Sequence, residues 1–285
     1  MPFGARLLKF PLVRLVLALL TLIIPYAAIA IPMNMYVTDK LLRKLGALVL
    51  TAVVLLAYRA YVRIVERRPV TELSRPRFVQ ELGAGVVFGA LLFCITVGII
   101  AAFGGFHVSG INGWYPMIGA VPAFILAAVI EEVVIRGVVF RILELWVGSW
   151  IALAFSAALF GFLHLFNPGA DLQSGAAIML EAGILLAAAY MLTRRLWFCM
   201  GIHFAWNFTQ GAIFSVAVSG QATAGLLQSQ MTGPAWLTGG GFGAEASVIA
   251  VIICTVAGLI FLRVAHRRGH FIQPVWTSRQ TAVRG

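Results

Sequence analysis

Charge is scarce in this sequence. Asp, Glu, Lys and Arg make up 11% of the 285 residues, whereas a soluble domain usually carries about 25%. Apolar residues make up 61% of the chain, which leaves too little polar surface for a particle that stays in water. The composition therefore excludes an ordinary soluble enzyme and predicts a protein that lipid covers over much of its surface.

Cysteine is also scarce, and its placement is unsuited to cross-links. Cys94, Cys199 and Cys254 each lie inside an apolar run, and no Cys-x-x-Cys pair occurs. We therefore expect neither a disulfide framework nor a cysteine-based zinc site. The zinc signature His-Glu-x-x-His, which places both histidines on one helix, is absent as well.

Acidic residues are outnumbered by basic ones, 10 against 21, and the net charge is +11. The basic residues fall between apolar segments, a pattern typical of cytoplasmic membrane edges that face anionic lipid. An N-terminus in the cytoplasm puts all of the 21 Lys and Arg on the inner side except Lys40, Arg43 and Lys44. We therefore predict a multi-pass protein of the cell (inner) membrane, with both termini cytoplasmic, that contacts the lipid bilayer and no nucleic acid.

Apolar runs of about 20 residues predict an all-α integral membrane bundle with about eight transmembrane helices. The predicted spans are 12–32, 46–64, 82–103, 117–140, 150–166, 174–193, 198–218 and 245–262. The start, with Arg6, Lys9 and Arg14 ahead of an apolar run, also resembles a cleaved signal peptide. Either reading leaves the later topology unchanged.

Three parts follow from this pattern. Residues 1–116 form N-terminal membrane helices, and residues 117–218 form the core that carries the candidate chemistry. Residues 219–285 form an outer loop, the last helix and a basic cytoplasmic tail. The stretch 219–243 has no Asp, Glu, Lys or Arg and is rich in Gly, Ser and Thr, which predicts a flexible loop.

Glu131 and Glu132 interrupt a stretch, 82–130, that contains no Asp, Glu, Lys or Arg. Ionisable groups inside a membrane are costly and usually face the bundle interior or a water-filled cavity. Arg136 lies four residues after Glu132 on the same helix face, where the two can pair, whereas Glu131 is rotated about 100° away. Glu131 is therefore the carboxylate without a local partner and the better candidate base. A helix end near the cytoplasm would also account for all three.

Two further polar groups are weak signals when taken singly. His164 also suits a helix-end histidine bonded to the backbone, and the pair His203 and Asn207, on one helix face, also suits helix–helix hydrogen bonds. Counted from the predicted inner helix ends, Glu132 and His203 lie about eight residues deep (roughly 12 Å) and His164 about 15 (roughly 22 Å). A tilted, late-starting or broken fifth helix would bring them level.

Together these groups resemble the three motifs of the CAAX-protease and bacteriocin-processing family of intramembrane proteases, also called the abortive-infection family. Glu-Glu-xxx-Arg stands at 131–136, Phe-xxx-His at 160–164 and His-xxx-Asn at 203–207, in the family's order. The resemblance covers about 117–217. It implies an intramembrane endopeptidase that acts on membrane-associated peptides or proteins.

The resemblance also implies a catalytic set. Peptide hydrolysis needs an activated water, a proton carrier and a stabilised oxyanion. Glu131 with His164 would activate the water, and His203 with Asn207 would stabilise the oxyanion. The pair Glu132 and Arg136 would fix the helix and tune the site.

A metal ion is the main alternative within this mechanism, because the family is often named as metalloproteases. His164, His203 and Glu131 with a water would satisfy zinc. We favour a glutamate base that requires no cofactor, since His203 shares its helix face with Asn207 and the two suit paired hydrogen-bond donors.

Two other functions stay open at this point. A proton-coupled transporter would use intramembrane Glu and His as a relay, although no inverted repeat of the kind common in transporters is visible. A catalytically silent bacteriocin-immunity or scaffold protein is the other.

Glu181, inside the sixth predicted span, is expected to face protein or a cavity and is a candidate accessory site residue.

Overall fold

Helix dominates the structure, a computed structural model that describes residues 10–277. The chain is 74% helical, and six helices within the described range are long and apolar enough to cross a membrane. The predicted all-α polytopic bundle is thereby confirmed, while the count of eight spans and their orientation stay predictions. Arg6 and Lys9, which enter the signal-peptide reading, lie outside the described residues.

The elements follow one another with short connections. The helices are α1 (Pro11–Tyr36), α2 (Lys40–Ile64), α3 (Phe78–Ala102), α4 (Trp114–Val147), α5 (Ser149–His164), α6 (Leu172–Thr193), α7 (Leu196–Asn207), α8 (Ala235–Thr238) and α9 (Val248–Arg267). The strands are β1 (Phe106–Ile111) and β2 (Leu227–Met231), and 3₁₀ turns occupy Thr71–Leu73 and Ala244–Ala246.

Local sequence fixes several of the helix ends. Asp39 accepts a hydrogen bond from the backbone N–H of Leu42 at 2.8 Å and so caps α2. Asp171 and Ser174 form a reciprocal capping box at the start of α6. Gly148 adopts φ +82° between α4 and α5, a conformation that glycine enters without a steric penalty. The chain can therefore reverse there within a single residue.

Three stretches of π-helix interrupt the long helices. They are Val133–Phe140 in α4, Met179–Gly183 in α6 and Phe208–Ile213 directly after α7. A π turn inserts extra residues into an α-helix and frequently marks a functional site. Glu132 precedes the first stretch, Glu181 lies within the second and Asn207 precedes the third, so each one adjoins a polar residue of the membrane interior.

The helix α6 is central and α1 is peripheral. In the most apolar part of each helix, 67% of the residues of α6 are buried but only 17% of those of α1. The helices α3 and α7 approach closely along glycines, since a Cβ on Gly201 would lie 2.5 Å from the carbonyl oxygen of Leu82. Small residues of this kind let membrane helices pack backbone to backbone, and here they position the helix that carries His203.

Replacing Gly201 with Ala should therefore force α3 and α7 apart. We expect a loss of about 1–3 kcal/mol in the free energy of unfolding, with reduced activity because His203 moves with its helix. Gly98→Ala is the matched control, since a Cβ on Gly98 would meet nothing within 4 Å. Thermal unfolding of the two variants in lipid nanodiscs checks this. Equal stability of the two would contradict the tight approach.

The predicted flexible loop at 219–243 is wrong in one respect. It contains β2, which pairs antiparallel with β1 from the connection between α3 and α4, and α8, whose Leu237 is buried. Phe242 is buried as well. Backbone pairing with a distant segment therefore orders this stretch, and the all-helical bundle carries one small two-stranded sheet.

Ion pairs stabilise the C-terminal end of α4. Arg141 contacts Glu66 at 2.9 Å, and Glu144 contacts Arg194 at 2.9 Å. Burial raises the pKa of the Glu66 carboxyl, but the guanidinium groups of Arg141 and Arg68 outweigh this and hold it below its usual value. Arg141 and Glu144 are both buried and neutralised, which lets α4 continue past them to Val147.

Candidate active site

The side chains of three helices meet around one carboxylate oxygen. Oε2 of Glu131, on α4, lies 3.7 Å from Nε2 of His203 on α7 and 4.0 Å from Nε2 of His164 at the end of α5. This oxygen is buried and has no hydrogen-bond partner among the described residues. The structure thus brings together the three residues that the sequence placed on separate motifs.

The predicted mismatch in depth between Glu132 and His164 disappears because the predicted inner end of the fourth span was wrong. The helix α4 continues through Arg141 to Val147 instead of ending at Phe140. Glu132 then lies about four turns from that end, and His164 lies about four turns from the start of α5 at Ser149. Two antiparallel neighbours joined at Gly148 therefore carry Glu132 and His164 at the same level.

The second carboxylate is paired through one of its oxygens. Oε1 of Glu132 accepts from Arg136 at 2.7 Å and from Nδ1 of His203 at 2.8 Å. The side chains of Glu132 and Arg136 are both 0% exposed. The predicted pairing of Glu132 with Arg136 is confirmed, and its link to His203 adds a contact between helices that sequence spacing does not reveal.

Arg136 and Phe160 tie the site together. Arg136 also donates to the backbone carbonyl of Ala182 at 3.2 Å, within the π-helical part of α6. The ring of Phe160 lies 4.5 Å from the Arg136 guanidinium and 4.6 Å from the ring of His164. The contact with Arg136 is a cation–π interaction. The first residue of the Phe-xxx-His motif therefore packs against both Arg136 and His164.

Hydrogen bonds orient both imidazole rings in the same sense. Nδ1 of His164 donates to the carbonyl oxygen of Phe160 at 2.8 Å, and Nδ1 of His203 donates to the carboxylate of Glu132. Because both acceptors lack a hydrogen, the Nδ1 atoms carry the protons. Each Nε2 is left facing Glu131. The backbone bond expected of a helix-end histidine is present in His164, and it leaves the other ring nitrogen free for chemistry.

A cavity in the bundle interior contains these groups. Its volume open to water-sized molecules is ≈ 40 Å³, which is room for about two or three waters. Asn207 contributes to its lining, one turn beyond His203. A second, wider pocket of ≈ 300 Å³ shares Glu131, Phe160 and His164, and its remaining wall is Ile130, Val134, Ile135, Leu163 and Asn167. An apolar recess thus adjoins the polar cavity.

Further polar residues line the cavity. The sequence predicted Glu181 as an accessory residue, and its carboxylate does face this space; Glu245 and Trp206 were missed. The sequence does contain a signal that could have identified Glu245, because it is the only acidic residue after Glu181. Trp206 lies three residues after His203, on the same helix face.

The fit of a zinc ion depends on how closely the candidate ligands approach one another. In residues 10–277, no group of three or more His, Cys, Asp or Glu side chains is arranged to hold a metal ion. Glu131, His164 and His203 are spaced by 3.7 and 4.0 Å, wider than the roughly 3.4 Å between ligands of a tetrahedral zinc. The metal alternative stays a prediction, and the mechanism below routes no step through a metal ion.

Comparison with known proteins identifies the central segment of the chain. Residues 112–209 match the family described as type II CAAX prenyl endopeptidase Rce1-like. No curated protein matches the chain, and no solved structure matches it. The matched segment contains all three motifs, at 131–136, 160–164 and 203–207. The resemblance predicted from those motifs is therefore confirmed for this segment: residues 112–209 are similar to the Rce1-like CAAX prenyl endopeptidases.

Proposed function

We propose that this protein hydrolyses peptide bonds of membrane-associated substrates inside the bilayer, with Glu131 as the general base. The unpartnered Oε2 of Glu131 between two imidazole Nε2 atoms supports this most directly. Separations of 3.7 and 4.0 Å are too long for direct hydrogen bonds and suit a bridging water. A water held there would be oriented by His164 and deprotonated by Glu131.

The reaction then follows from the positions of the remaining groups. Glu131 takes one proton from the water, whose oxygen attacks the scissile carbonyl carbon. The amide of Asn207 and Nε2 of His203 donate hydrogen bonds to the resulting oxyanion. Glu131 returns the proton to the leaving nitrogen, the C–N bond breaks, and a carboxylic acid and an amine are formed, which leave as carboxylate and ammonium after the acid gives up its proton.

This role sets the protonation state of His203. Its Nδ1 already donates to Glu132, so Nε2 can donate to an oxyanion only when the ring is an imidazolium. The carboxylates of Glu132 and Glu131 stabilise that positive charge. The Glu132 and Arg136 pair therefore does more than hold α4 in place, since it anchors and polarises the oxyanion donor.

The direct test compares cleaved termini. Membranes from cells that produce the wild-type chain and from cells that produce Glu131→Gln are analysed by terminus-selective proteomics. We expect new termini in membrane-associated proteins only with the wild type, and cleavage of the corresponding synthetic peptides by the purified protein in nanodiscs. Identical termini in the two samples, together with no peptide cleavage, would refute a peptidase and favour the transporter or scaffold reading.

Chelation separates a glutamate base from a metal-dependent one. We expect protein dialysed exhaustively against a chelator to keep its turnover at less than about 0.05 metal ions per chain, because a carboxylate base in a polar cavity needs no Lewis acid. Metal content and turnover are measured on the same sample. Loss of turnover that stoichiometric zinc restores in the wild type, but not in His164→Ala, would establish the metalloprotease alternative instead.

A further inference from the structure

The catalytic cavity contains two carboxylates that the proposed mechanism does not use. Glu181 comes from the π-helical part of α6 and is 3% exposed, and Glu245 comes from the turn before α9 and is 2% exposed. Both line the cavity together with Glu131, His164 and His203. In the part of the chain that the structure describes, no basic side chain forms an ion pair with either one.

The local contacts of these carboxylates leave acceptor capacity free. No described residue donates a hydrogen bond of normal geometry to Glu181, and the thiol of Cys254, a weak donor, lies near it. Glu245 accepts from the backbone N–H of Ser219 in the outer connection, which fixes the carboxylate toward the bundle interior. Glu181 is therefore an almost completely buried acceptor whose remaining lone pairs face the cavity.

The acids of this cavity have no arginine or lysine partner. Arg136 is already paired with Glu132, so among the described residues only the two histidines lie near Glu131, Glu181 and Glu245 to offset a charge on them. An intramembrane ionisable residue without a partner is a candidate binding or transport site. Oε2 of Glu131 and Nε1 of Trp206, also on lining residues, lack hydrogen-bond partners among residues 10–277. Buried polar atoms without a protein partner can bind water or a polar group of a ligand.

We propose that Glu181 and Glu245 form a subsite for a positively charged group of the substrate, an ammonium or guanidinium carried by a residue beside the scissile bond. The inference rests on the proposed peptidase function and adds the substrate class. The cavity has room for about two or three waters, so an ammonium head can replace one of them between the carboxylates. The same charges disfavour a carboxylate in this position, and a free C-terminal end of the substrate must lie elsewhere.

Matched peptides test the subsite. Each pair differs by Lys against norleucine, which have similar chains and differ in charge, at one position flanking the scissile bond. For the wild type in nanodiscs we expect kcat/KM to favour Lys by about tenfold or more at one position, equivalent to roughly 1.4 kcal/mol. In the double variant Glu181→Gln with Glu245→Gln this ratio should fall to near one. Asp39→Asn, at the cap of α2, should keep the wild-type ratio.

Binding provides a readout that does not require turnover. Glu131→Gln protein, in which the proposed base is removed, should bind the Lys peptide about tenfold more tightly than the norleucine peptide, and the two further Gln changes should remove the difference. Tighter Lys binding without any cleavage by the wild type would leave the subsite standing and refute the peptidase. No Lys preference in the wild type, or a preference that survives in the double variant, would overturn the subsite.

Discussion

Glu131→Gln is expected to reduce peptide hydrolysis by about 10³-fold or more, near the upper part of the range for loss of a general base. Gln keeps the size of the side chain but cannot take a proton from the water. Since Oε2 of Glu131 accepts no hydrogen bond from the described residues, the substitution breaks no hydrogen bond that holds the fold. Folding, measured by thermal unfolding in nanodiscs, should therefore be unchanged while turnover disappears.

Variants at the other positions around the same water give the expected pattern. His164→Ala and His203→Ala should each abolish cleavage, and Asn207→Ala should lower kcat by about 10² to 10³ as an oxyanion donor does. When residues act as one unit, combining their substitutions lowers activity little more than one substitution alone. Turnover of the double variant Glu131→Gln with His164→Ala should therefore resemble that of either single variant. Asp39→Asn keeps a good helix cap and is the control. Near-normal turnover by purified Glu131→Gln would remove the central proposal.

Sequence spacing was sufficient to predict the contacts within one helix. The pair of Glu132 with Arg136, four residues apart, follows from helical geometry alone, and so does the isolation of Glu131. The hydrogen bond from His203 to Glu132 joins two helices that are distant in sequence, and helical periodicity cannot predict it. The motifs placed the residues in one site, whereas only the packing of α4 against α7 shows which nitrogen faces which oxygen.

Helix ends and the pairing of distant segments could not be predicted from the sequence. Arg141 and Glu144 resemble a membrane boundary when read singly, yet Glu66 and Arg194 neutralise them, and α4 therefore runs on through both. The strands β1 and β2 read as loop because neither has a strong alternating pattern. Each is ordered only because the other pairs with it.

Removing Arg136 should have the largest effect on stability. Arg136→Met leaves Glu132 buried at 0% exposure with only the imidazole of His203 to offset its charge. Loss of one partner from a buried ion pair typically costs about 3–5 kcal/mol, and the bond to the carbonyl of Ala182 in α6 is lost as well. We expect a drop of that size in the free energy of unfolding, together with loss of activity.

The double variant Glu132→Gln with Arg136→Met separates folding from chemistry. Neutral side chains of similar shape remove the stranded charge, so most of the lost free energy of unfolding should return. Turnover should stay low, because the introduced amide can still accept from Nδ1 of His203 but no longer stabilises an imidazolium that must donate to the oxyanion. Unfolding and peptide cleavage are measured on the same preparations. Recovery of turnover in parallel with stability would show that Glu132 only holds α4 in place and that His203 does not act as a charged donor.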